Sequence, residues 1–360
     1  MDKIKRFIEC ELPLTQCNLK CEYCYVIQRD IRNKAKLNLK YSPEIIGKSF
    51  RQERWGGICY ISICAYGETM IADETREIAF ELLRNGHYVN ITTNGTLSEK
   101  FDKFLKFPKD YLDRLHFSFS FHYLELKRLN LIDTFFENIK KVRNAGCSFV
   151  CQLNLYDGYV NHLDEIKEVC MKNIGAWPQL AATRKENNIS NDIEFMTSLP
   201  LEEYVKLGES FDSPLFRYTI KNFNKRRTEF CYAGDWSFQL NLGTGVLRRC
   251  YASGVKQNIF ENPDKPINFV AIGKHCNSLF CMNSSHYMSL GVIPEVKGES
   301  YAQLRNRPEA NWYSDTMQNF LNGKLYNNNP IYSYRQKMKT EIYSWYELAR
   351  NIAAKLIFKR

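Results

Sequence analysis

The sequence has no long hydrophobic segment. No stretch of its 360 residues approaches the roughly 18 apolar residues that a membrane-spanning helix needs. The apolar segment from Phe7 to Leu14 is interrupted by Glu9 and Glu11, so it is too short and too charged for the core of a signal peptide. These absences argue against a membrane-spanning or secreted protein, and we expect a cytoplasmic location.

The sequence also has no recognisable module for reading RNA or DNA, although its net charge is +10. Hydrophobic content of 44% and aromatic content of 14% are typical of a globular protein, not of a disordered one. The positive charge is partly clustered, at Lys225-Arg226-Arg227, Arg248-Arg249, and Arg335, Lys337 and Lys339. Such an excess favours an anionic substrate or partner.

What the sequence does contain is cysteine, 13 residues in all. Without a secretion signal, clustered cysteines indicate metal binding or catalysis more often than disulfides. Cys17, Cys21 and Cys24 have the spacing Cys-x3-Cys-x2-Cys, which brings three soft thiolates together on one loop. A [4Fe–4S] cube has four irons, so three cysteines leave one iron open, as a catalytic metal requires.

This motif resembles the signature of the radical S-adenosylmethionine (SAM) superfamily, including the aromatic Tyr23 before the last cysteine. The resemblance implies that the open iron binds the amino and carboxylate groups of SAM. It also implies that the reduced cluster cleaves SAM to a 5′-deoxyadenosyl radical, with Tyr23 near the cofactor. The alternative from the residues alone is a zinc knuckle with a distant fourth ligand.

Apolar β-rich segments alternate with helical segments up to about residue 185. The predicted strands are Phe7–Leu14, Ile58–Cys64, His87–Thr93, Leu115–Phe121, Cys147–Leu155 and Pro178–Thr183. Ser42 and Pro43 are typical of a helix start. Six successive β/α units predict parallel strands covered by helices, which the resemblance makes a partial (β/α)6 TIM-like barrel.

Unusual residues follow several of these strands, where barrel enzymes place their chemistry. Gly67-Glu68 follows the second strand and matches the family's Gly-Gly-Glu type motif, with Tyr66 replacing the first glycine. The resemblance assigns this motif to the amino group of SAM. It suggests further cofactor contacts at Asn94, Ser118, Ser120 and Arg184. His122 either lines the site or is a core or capping histidine.

A second group of cysteines, Cys231, Cys250, Cys276 and Cys281, supplies the four thiolates that one [4Fe–4S] cube needs. Gly243-Thr244-Gly245 predicts a β-hairpin between the first two. The arrangement resembles the SPASM and twitch auxiliary-cluster domains. The dense Cys-x2-Cys-x5-Cys-x3-Cys block is absent, which favours one auxiliary [4Fe–4S] cluster. A zinc ribbon is the alternative, and His275 and His286 are spare candidate ligands.

The predicted organisation has four parts. They are a barrel at 1–185, a bridging segment at 186–228, a small α+β twitch/SPASM-like domain at 229–290 and a helical extension at 291–360. The last helix places Ile342, Tyr346, Ala349, Ile352, Ala353 and Leu356 on one face. That face either docks on the body of the protein or binds a membrane interface.

The resemblance implies an enzyme that abstracts hydrogen from an unactivated C–H bond, leading to oxidation, epimerisation or cross-linking. We expect an anionic peptide or small-molecule substrate, such as a sugar, and an electron donor such as flavodoxin or ferredoxin. Only sixteen residues precede Cys17, which disfavours a leader-binding domain. Cys64 or Cys151 would return a hydrogen atom if it faced the barrel interior. The rival interpretation is a non-catalytic zinc- or nucleic-acid-binding protein.

Overall fold

The fold was obtained as a computed structural model, which describes residues 2–185, 194–251, 253–254, 256–274, 276, 278, 280–281 and 284–357. In this part of the chain nine strands form one sheet, in the order β6-β5-β4-β3-β2-β1-β7-β8-β9. The strands are β1 Arg6–Leu12, β2 Cys59–Ala65, β3 Tyr88–Thr93, β4 Leu115–Ser120, β5 Ser148–Leu155, β6 Gln179–Ala182, β7 Ser237–Asn241, β8 Val246–Arg248 and β9 Lys256–Asn258.

The first six strands are all parallel to their neighbours, as predicted. Each observed strand overlaps its predicted range with ends within two residues. The agreement has a local cause, because strands covered on one face by helices keep apolar residues that the sequence shows directly. The chain is therefore a mixed α/β protein with a parallel central sheet.

The helices are α1 Tyr25–Gln28, α2 Pro43–Ser49, α3 Gln52–Trp55, α4 Glu74–Arg84, α5 Ser98–Phe104, α6 Lys109–Leu112, α7 Tyr123–Arg128, α8 Ile132–Asn144, α9 Leu163–Ile174, α10 Leu201–Glu209, α11 Pro214–Asn222, α12 Ser284–Tyr287, α13 Tyr301–Arg305, α14 Asp315–Asn322, α15 Leu325–Asn328 and α16 Tyr334–Ile357. Ser42 caps α2 by accepting a hydrogen bond from the Ile45 N–H, and Pro43 occupies the first turn, as the sequence predicts.

The two faces of the sheet differ in chemistry. Ile8, Ile61, Ile91 and Phe117 belong to the face covered by the helices, and all four are fully buried. The opposite face, here called the inner face, carries polar and half-buried residues. The strand register places these residues in rows across neighbouring strands. The rows are Glu9 with Ser62 and Gln239, Glu11 with Cys64 and Asn241, Thr92 with Ser118, and Ser120 with Gln152.

The predicted hairpin is confirmed, since β7 and β8 are antiparallel with Asn241 opposite Val246. Gly245 has φ of 75°, a left-handed conformation that favours glycine. The sequence did not predict that β7 also pairs with β1, in parallel, through Phe7 opposite Ser237. One sheet therefore runs from the predicted barrel into the predicted auxiliary domain, and the domain boundaries stay predictions.

The segment after the second cysteine group closes the end of the inner face where the strands begin. The ring of Tyr287 lies edge-on to Phe7 at 5.4 Å, and Tyr301 meets Tyr60 at 5.4 Å. Tyr313 contacts the imidazole of His116 at 4.8 Å between ring centroids. We call this layer the floor of the inner face.

The last helix, α16, docks through residues that the sequence did not indicate. Thr340 is buried, Ser344 Oγ donates to the Ile272 carbonyl at 2.9 Å, and Tyr343 lies under the Arg249 guanidinium at 4.6 Å. Ile342 and Tyr346 are 64% and 62% exposed, so of the two alternatives for their face, docking on the body of the protein does not hold for these two residues. The side chains of Ile352, Ala353 and Leu356 lie outside the described part. Among the described helices, none has the length and apolarity to cross a bilayer.

Candidate functional site

The three cysteines of the first motif lie on the loop between β1 and α1, at the carboxyl end of the sheet. Cys21 is buried, whereas Cys17 and Cys24 are half-buried. The Leu19 N–H donates to the sulfur of Cys17 at 3.4 Å, and the Cys24 N–H donates to the Cys21 carbonyl at 3.0 Å. These two hydrogen bonds hold the backbone of the loop between the three cysteines.

The thiols are close enough to influence one another's ionisation. Burial raises the pKa of Cys17 to about 11, and Cys24 adds to that rise. Burial also raises the pKa of Cys21 well above its ordinary value, with Cys17 and Cys24 as the next causes. Thiolates gathered in this way need positive charge to remain ionised, which a bound iron cluster supplies. The donor set fits a cluster held by three cysteines.

Gly67 packs directly against the backbone of the cysteine loop. Its N–H donates to the Leu14 carbonyl at 2.8 Å, and the Glu68 N–H donates to the Gln16 carbonyl at 2.9 Å. A Cβ on Gly67 would overlap the carbonyl oxygen of Gln16 and lie 2.8 Å from the carbonyl carbon of Thr15. A glycine is required here because the two backbones touch, whatever ligand binds above them.

Glu68, which the resemblance assigns to SAM, is 2% exposed and has its carboxylate bound within the protein. One oxygen accepts from the Met70 N–H at 3.0 Å and the Thr93 hydroxyl at 2.7 Å; the other accepts from the Asn94 N–H at 2.7 Å. Burial raises the pKa of this carboxyl, although the three hydrogen bonds oppose that rise. Its side chain therefore joins the loops after β2 and β3.

Asn94 extends this network to the cysteine loop. Its amide Nδ2 donates to Asn18 Oδ1 at 2.8 Å and lies 3.8 Å from the Cys17 sulfur. Asn18 in turn donates to the Thr96 hydroxyl at 2.8 Å. Asn94 thus lies beside the first cysteine, and its contact with the cofactor stays a prediction. Asn18 and Thr96 were missed, because isolated polar loop residues carry no periodic signal.

Tyr23 anchors the middle of the cysteine loop. Its hydroxyl lies 2.6 Å from His122 Nδ1 and 3.3 Å from the Tyr159 hydroxyl, and its ring lies 4.7 Å from that of Tyr156. Burial lowers the pKa of His122 to about 4, so this imidazole is neutral at pH 7 and suited to accept from Tyr23. His122 therefore supports the loop that carries the cysteines.

A second anchor of this loop, Glu125, was not found from the sequence. Its carboxylate accepts from the Lys20 N–H at 2.7 Å and pairs with Arg128 at 2.8 Å. The hydrogen bond from Arg128 is the largest cause that lowers the pKa of Glu125. Spacing along the helix predicts the Glu–Arg pair, but nothing local indicates that Glu125 reaches Lys20.

The other predicted cofactor contacts lie on or near the inner face. Ser118 donates to Asn90 Oδ1 at 2.8 Å, and Ser120 is half-buried at the end of β4. Arg184 follows β6, is exposed, and pairs with Phe195 in an antiparallel bridge. The two serines lie on β4, which β5 separates from β6. The side-chain amide of Gln28 donates to the Arg184 carbonyl at 3.3 Å and to the Tyr23 carbonyl at 2.9 Å, which links Arg184 to the cysteine loop.

Glu9 and Glu11 are inner-face residues that were not predicted from the sequence. Glu11 accepts hydrogen bonds from Gln239 at 3.4 Å and Asn241 at 3.3 Å. It also raises the pKa of Tyr66, after the larger effect of burial, through a hydrogen bond. Alternating acids in an otherwise apolar strand were the available signal, because period-2 positions share one face.

The two candidate hydrogen-donating cysteines have opposite orientations. Cys64 is half-buried and belongs to the inner face beside Glu11. Burial raises the pKa of its thiol to about 12. Cys151 is buried on the helix-covered face, where it is close enough to Cys170 of α9 to raise the pKa of that thiol. Of these two cysteines, only Cys64 faces the interior, as the return of a hydrogen atom would require.

The second cysteine group converges in the structure. Burial is the main cause that raises the pKa of Cys231, and Cys250, Cys281 and Cys276 each add to it, so all four thiols lie near one another. Cys231 forms a two-way backbone pair with Gly273 at 3.0 Å in each direction. This donor set fits a four-cysteine cluster.

Of the two spare ligand candidates, only His286 belongs to the described part of the chain. His286 lies over Phe7, with ring centroids 6.1 Å apart, and its Nδ1 is 3.2 Å from the Tyr301 hydroxyl. His275 lies outside the described residues.

Within the described ranges, no three His, Cys, Asp or Glu side chains are already grouped as around one metal ion. A [4Fe–4S] cube distributes its cysteine ligands over separate irons and needs a wider spacing than one ion does.

The basic residues near the second group have different roles. Arg227 pairs with Glu229 at 3.2 Å and donates to Asn222 at 2.6 Å, whereas Lys225 and Arg226 are exposed. Arg248 belongs to the inner face beside Gln239. Arg249, its neighbour in sequence, packs over the ring of Tyr343 in α16 instead. The predicted basic cluster is therefore divided between structural contacts and open surface.

Comparison with known proteins gives one family match. Residues 12–170 match the model of the Radical SAM superfamily, a range that contains the first cysteine motif and the Gly67-Glu68 loop. A search of the curated proteins gives no match to this chain.

Solved structures similar to this chain include SuiB from Streptococcus suis bound to S-adenosylmethionine, at 17% identity and a TM-score of 0.48, covering 73% of this chain and 66% of SuiB. The chain thus spans just under two thirds of the length of SuiB. Another is native anSMEcpe with bound AdoMet, at 15% identity and a TM-score of 0.49, covering 96% of this chain and all of that one. The match over residues 12–170 supports assignment of this part of the chain to the radical SAM superfamily.

Proposed function

We propose that this protein is a radical SAM enzyme that abstracts a hydrogen atom from an unactivated C–H bond of its substrate. The observation that carries the proposal is the convergence of Cys17, Cys21 and Cys24 at the carboxyl end of β1. The Gly67-Glu68 loop touches this site through two backbone hydrogen bonds. Both features fall within the segment that matches the superfamily model.

The three cysteines would hold a [4Fe–4S] cluster, which supplies the one-electron cleavage of SAM to methionine and a 5′-deoxyadenosyl radical. The contribution of the chain is to fix the loop that carries the ligands. Tyr23 and Glu125 attach it to the elements after β4, and Gly67 attaches it to the loop after β2. Tyr25 covers its other side, with its hydroxyl donating to the Tyr66 carbonyl at 3.2 Å.

We propose that Cys231, Cys250, Cys276 and Cys281 hold one auxiliary [4Fe–4S] cluster. Its support is the mutual proximity of four thiols at the end of a sheet that continues from β1 through β7. An auxiliary cluster would take up or relay an electron after hydrogen abstraction, or bind the substrate directly. The proposed reaction leads to an oxidised, epimerised or cross-linked product. Cys64 is the thiol on the inner face that is suited to return a hydrogen atom to the substrate.

The proposed substrate is an anionic peptide or small molecule bound along the inner face. This face carries polar, half-buried residues such as Glu9, Glu11 and Ser118, and the first cysteine group follows β1 at its carboxyl end. The reducing electron would come from a donor such as flavodoxin or ferredoxin, and we propose a cytoplasmic location. As a secondary proposal, α16 contacts a membrane surface with its exposed side, because Ile342, Trp345 and Tyr346 are all more than half exposed.

The proposal is tested with protein reconstituted without oxygen. We expect iron for close to two [4Fe–4S] clusters, together with formation of 5′-deoxyadenosine from SAM and dithionite. Replacing Cys17, Cys21 and Cys24 with alanine should remove about half of the iron and all of the SAM cleavage. A matched triple variant at the buried cysteines Cys59, Cys147 and Cys170 should keep both. SAM cleavage by the first triple variant would refute the assignment.

The rival function is a non-catalytic zinc- or nucleic-acid-binding protein. Four converging thiols also suit zinc chemically, and the net charge of +10 would suit a nucleic acid. Protein purified without oxygen distinguishes the two functions. Stoichiometric zinc at both cysteine groups, with no SAM cleavage after reconstitution with iron and sulfide, would favour the rival.

A further inference from the structure

A buried cation lies at the floor of the inner face. Arg305, the last residue of α13, is 2% exposed. Its guanidinium lies 3.7 Å from the centre of the Tyr301 ring, and Nη2 donates to the Ser285 carbonyl at 2.9 Å. Its Nη1 has no hydrogen-bond partner, and no carboxylate within the described ranges forms an ion pair with Arg305. Burial of a cation without a counter-charge is costly.

Two further polar atoms without partners belong to the same layer. The Tyr313 hydroxyl and His116 Nε2 are both buried and make no hydrogen bond. The two rings meet at 4.8 Å, and His116 Nδ1 is 3.0 Å from the Tyr60 hydroxyl. Burial, followed by the nearby charge of Arg305, lowers the pKa of His116 to about 3, so the imidazole is neutral. One cation and two neutral polar groups therefore lie in one layer, and each carries a buried polar atom without a hydrogen-bond partner.

This layer lies directly beneath the proposed substrate surface. His286, which contacts the Tyr301 hydroxyl, is half-buried, and Glu9 of β1 is half-buried on the inner face. Solvent therefore reaches the inner face as far as these two residues. Arg305 also lowers the pKa of His286, after the larger effect of burial, which places its charge close to that edge.

We propose that Arg305, Tyr313 and His116 form an oxyanion-binding subsite at the floor of the inner face, which takes a carboxylate or phosphoryl group of the substrate. The assignment of that group to a substrate rests on the proposed function, whereas the binding of an oxyanion does not. Arginine has five N–H donors and no acceptor, and its planar guanidinium matches the oxygens of carboxylates and phosphates. A bound water would satisfy the hydrogen bonds, whereas an oxyanion would satisfy them and also neutralise the charge of Arg305.

The test uses the full chain reconstituted without oxygen and measures the binding of inorganic phosphate and of acetate. Titration calorimetry and the shift in thermal midpoint are compared with chloride at matched ionic strength. We expect phosphate or acetate, but not chloride, to bind and raise the midpoint. Hydrogen bonds to charged groups predict that Arg305→Met binds the same anion roughly ten- to a hundredfold more weakly.

Two variants separate a binding role from a structural one. Tyr313→Phe removes only the unpartnered hydroxyl and should weaken anion binding while the protein folds normally, so it decides the test if Arg305→Met does not fold. Arg217→Met is the control, because Arg217 is exposed and pairs with Asp212 at 2.8 Å. It should bind anions as the wild type does.

The subsite is refuted if the wild type binds neither phosphate nor acetate, or if Tyr313→Phe and Arg305→Met bind as tightly as the control. Those results would leave water as the partner of Arg305. SAM cleavage by the wild type, measured on the same preparation, tests the proposed function separately. Anion binding can fail while SAM cleavage holds, and SAM cleavage can fail while anion binding holds.

Discussion

Replacing Gly67 with alanine should displace the cysteine loop. The added Cβ would overlap the carbonyl oxygen of Gln16 and lie 2.8 Å from the carbonyl carbon of Thr15. Backbone atoms cannot rotate away as a flexible side chain would, so the two loops must separate. That separation would stretch the hydrogen bonds from Gly67 to Leu14 and from Glu68 to Gln16, which measure 2.8 Å and 2.9 Å.

The size of the effect follows from two contributions. Overpacking in a filled site costs about 1–3 kcal/mol, and each weakened hydrogen bond contributes about 1 kcal/mol. We therefore expect the Gly67→Ala variant to lose about 2–4 kcal/mol, part of it recovered by relaxation of the loop. Because the displaced segment leads into Cys17, iron at the first site should fall together with stability.

The assay combines urea unfolding of the cluster-free protein with iron analysis after reconstitution. Gly298→Ala is the matched control, since its added Cβ meets only a ring carbon of Tyr218, at 3.3 Å. We expect the control to keep its urea midpoint and its iron, whereas Gly67→Ala should lose part of both. Equal midpoints and equal iron in the two variants would show that the contact between the loops does not hold the site together.

Three further predictions concern other parts of the structure. Tyr23→Phe removes the hydroxyl that lies 2.6 Å from His122, so it should cost about 1 kcal/mol and speed the loss of iron to a chelator; an unchanged rate would contradict the anchoring role. Burial lowers the pKa of His87 from 6.5 to about 4 in the folded protein, so the unfolded chain binds the proton first and stability is lost as pH falls from about 6.5 towards 4. That loss is about 2 kcal/mol at about pH 5 and should shrink in His87→Gln. Urea unfolding of the cluster-free protein above about pH 6.5 and at about pH 5 measures it. Alanine at Cys250 and Cys281 should remove the auxiliary iron and leave uncoupled SAM cleavage, whereas loss of both iron sites with normal folding would tie the two sites together.

The parts of the fold that the sequence predicted are those with a local cause. The six parallel strands are short apolar segments between helices, and each pattern is complete within a few residues of the chain. The same holds for the cap at Ser42 and the hairpin at Gly243-Thr244-Gly245. Cys17, Cys21 and Cys24 share one loop, so their convergence required no knowledge of distant contacts.

Residue identity alone does not indicate where a side chain finds its partners inside the protein. Glu68 matches a cofactor-binding motif, yet its carboxylate is occupied by Met70, Thr93 and Asn94. The apolar face of α16 reads as a docking face, yet Ile342 is 64% exposed and Thr340 is buried. Both outcomes depend on which neighbouring element lies closest, and periodicity within one element does not contain that information.

The sequence by itself determined the α/β class, the order of six strands and the identity of two cysteine groups. Only the tertiary structure decided that β7 pairs with β1, that Glu9 and Glu11 share the inner face with Gln239, and that His116 meets Tyr313 near the charge of Arg305. These contacts join residues far apart in the chain. Strand register and the packing of the whole core select them, because a one-residue slip would turn each side chain to the opposite face.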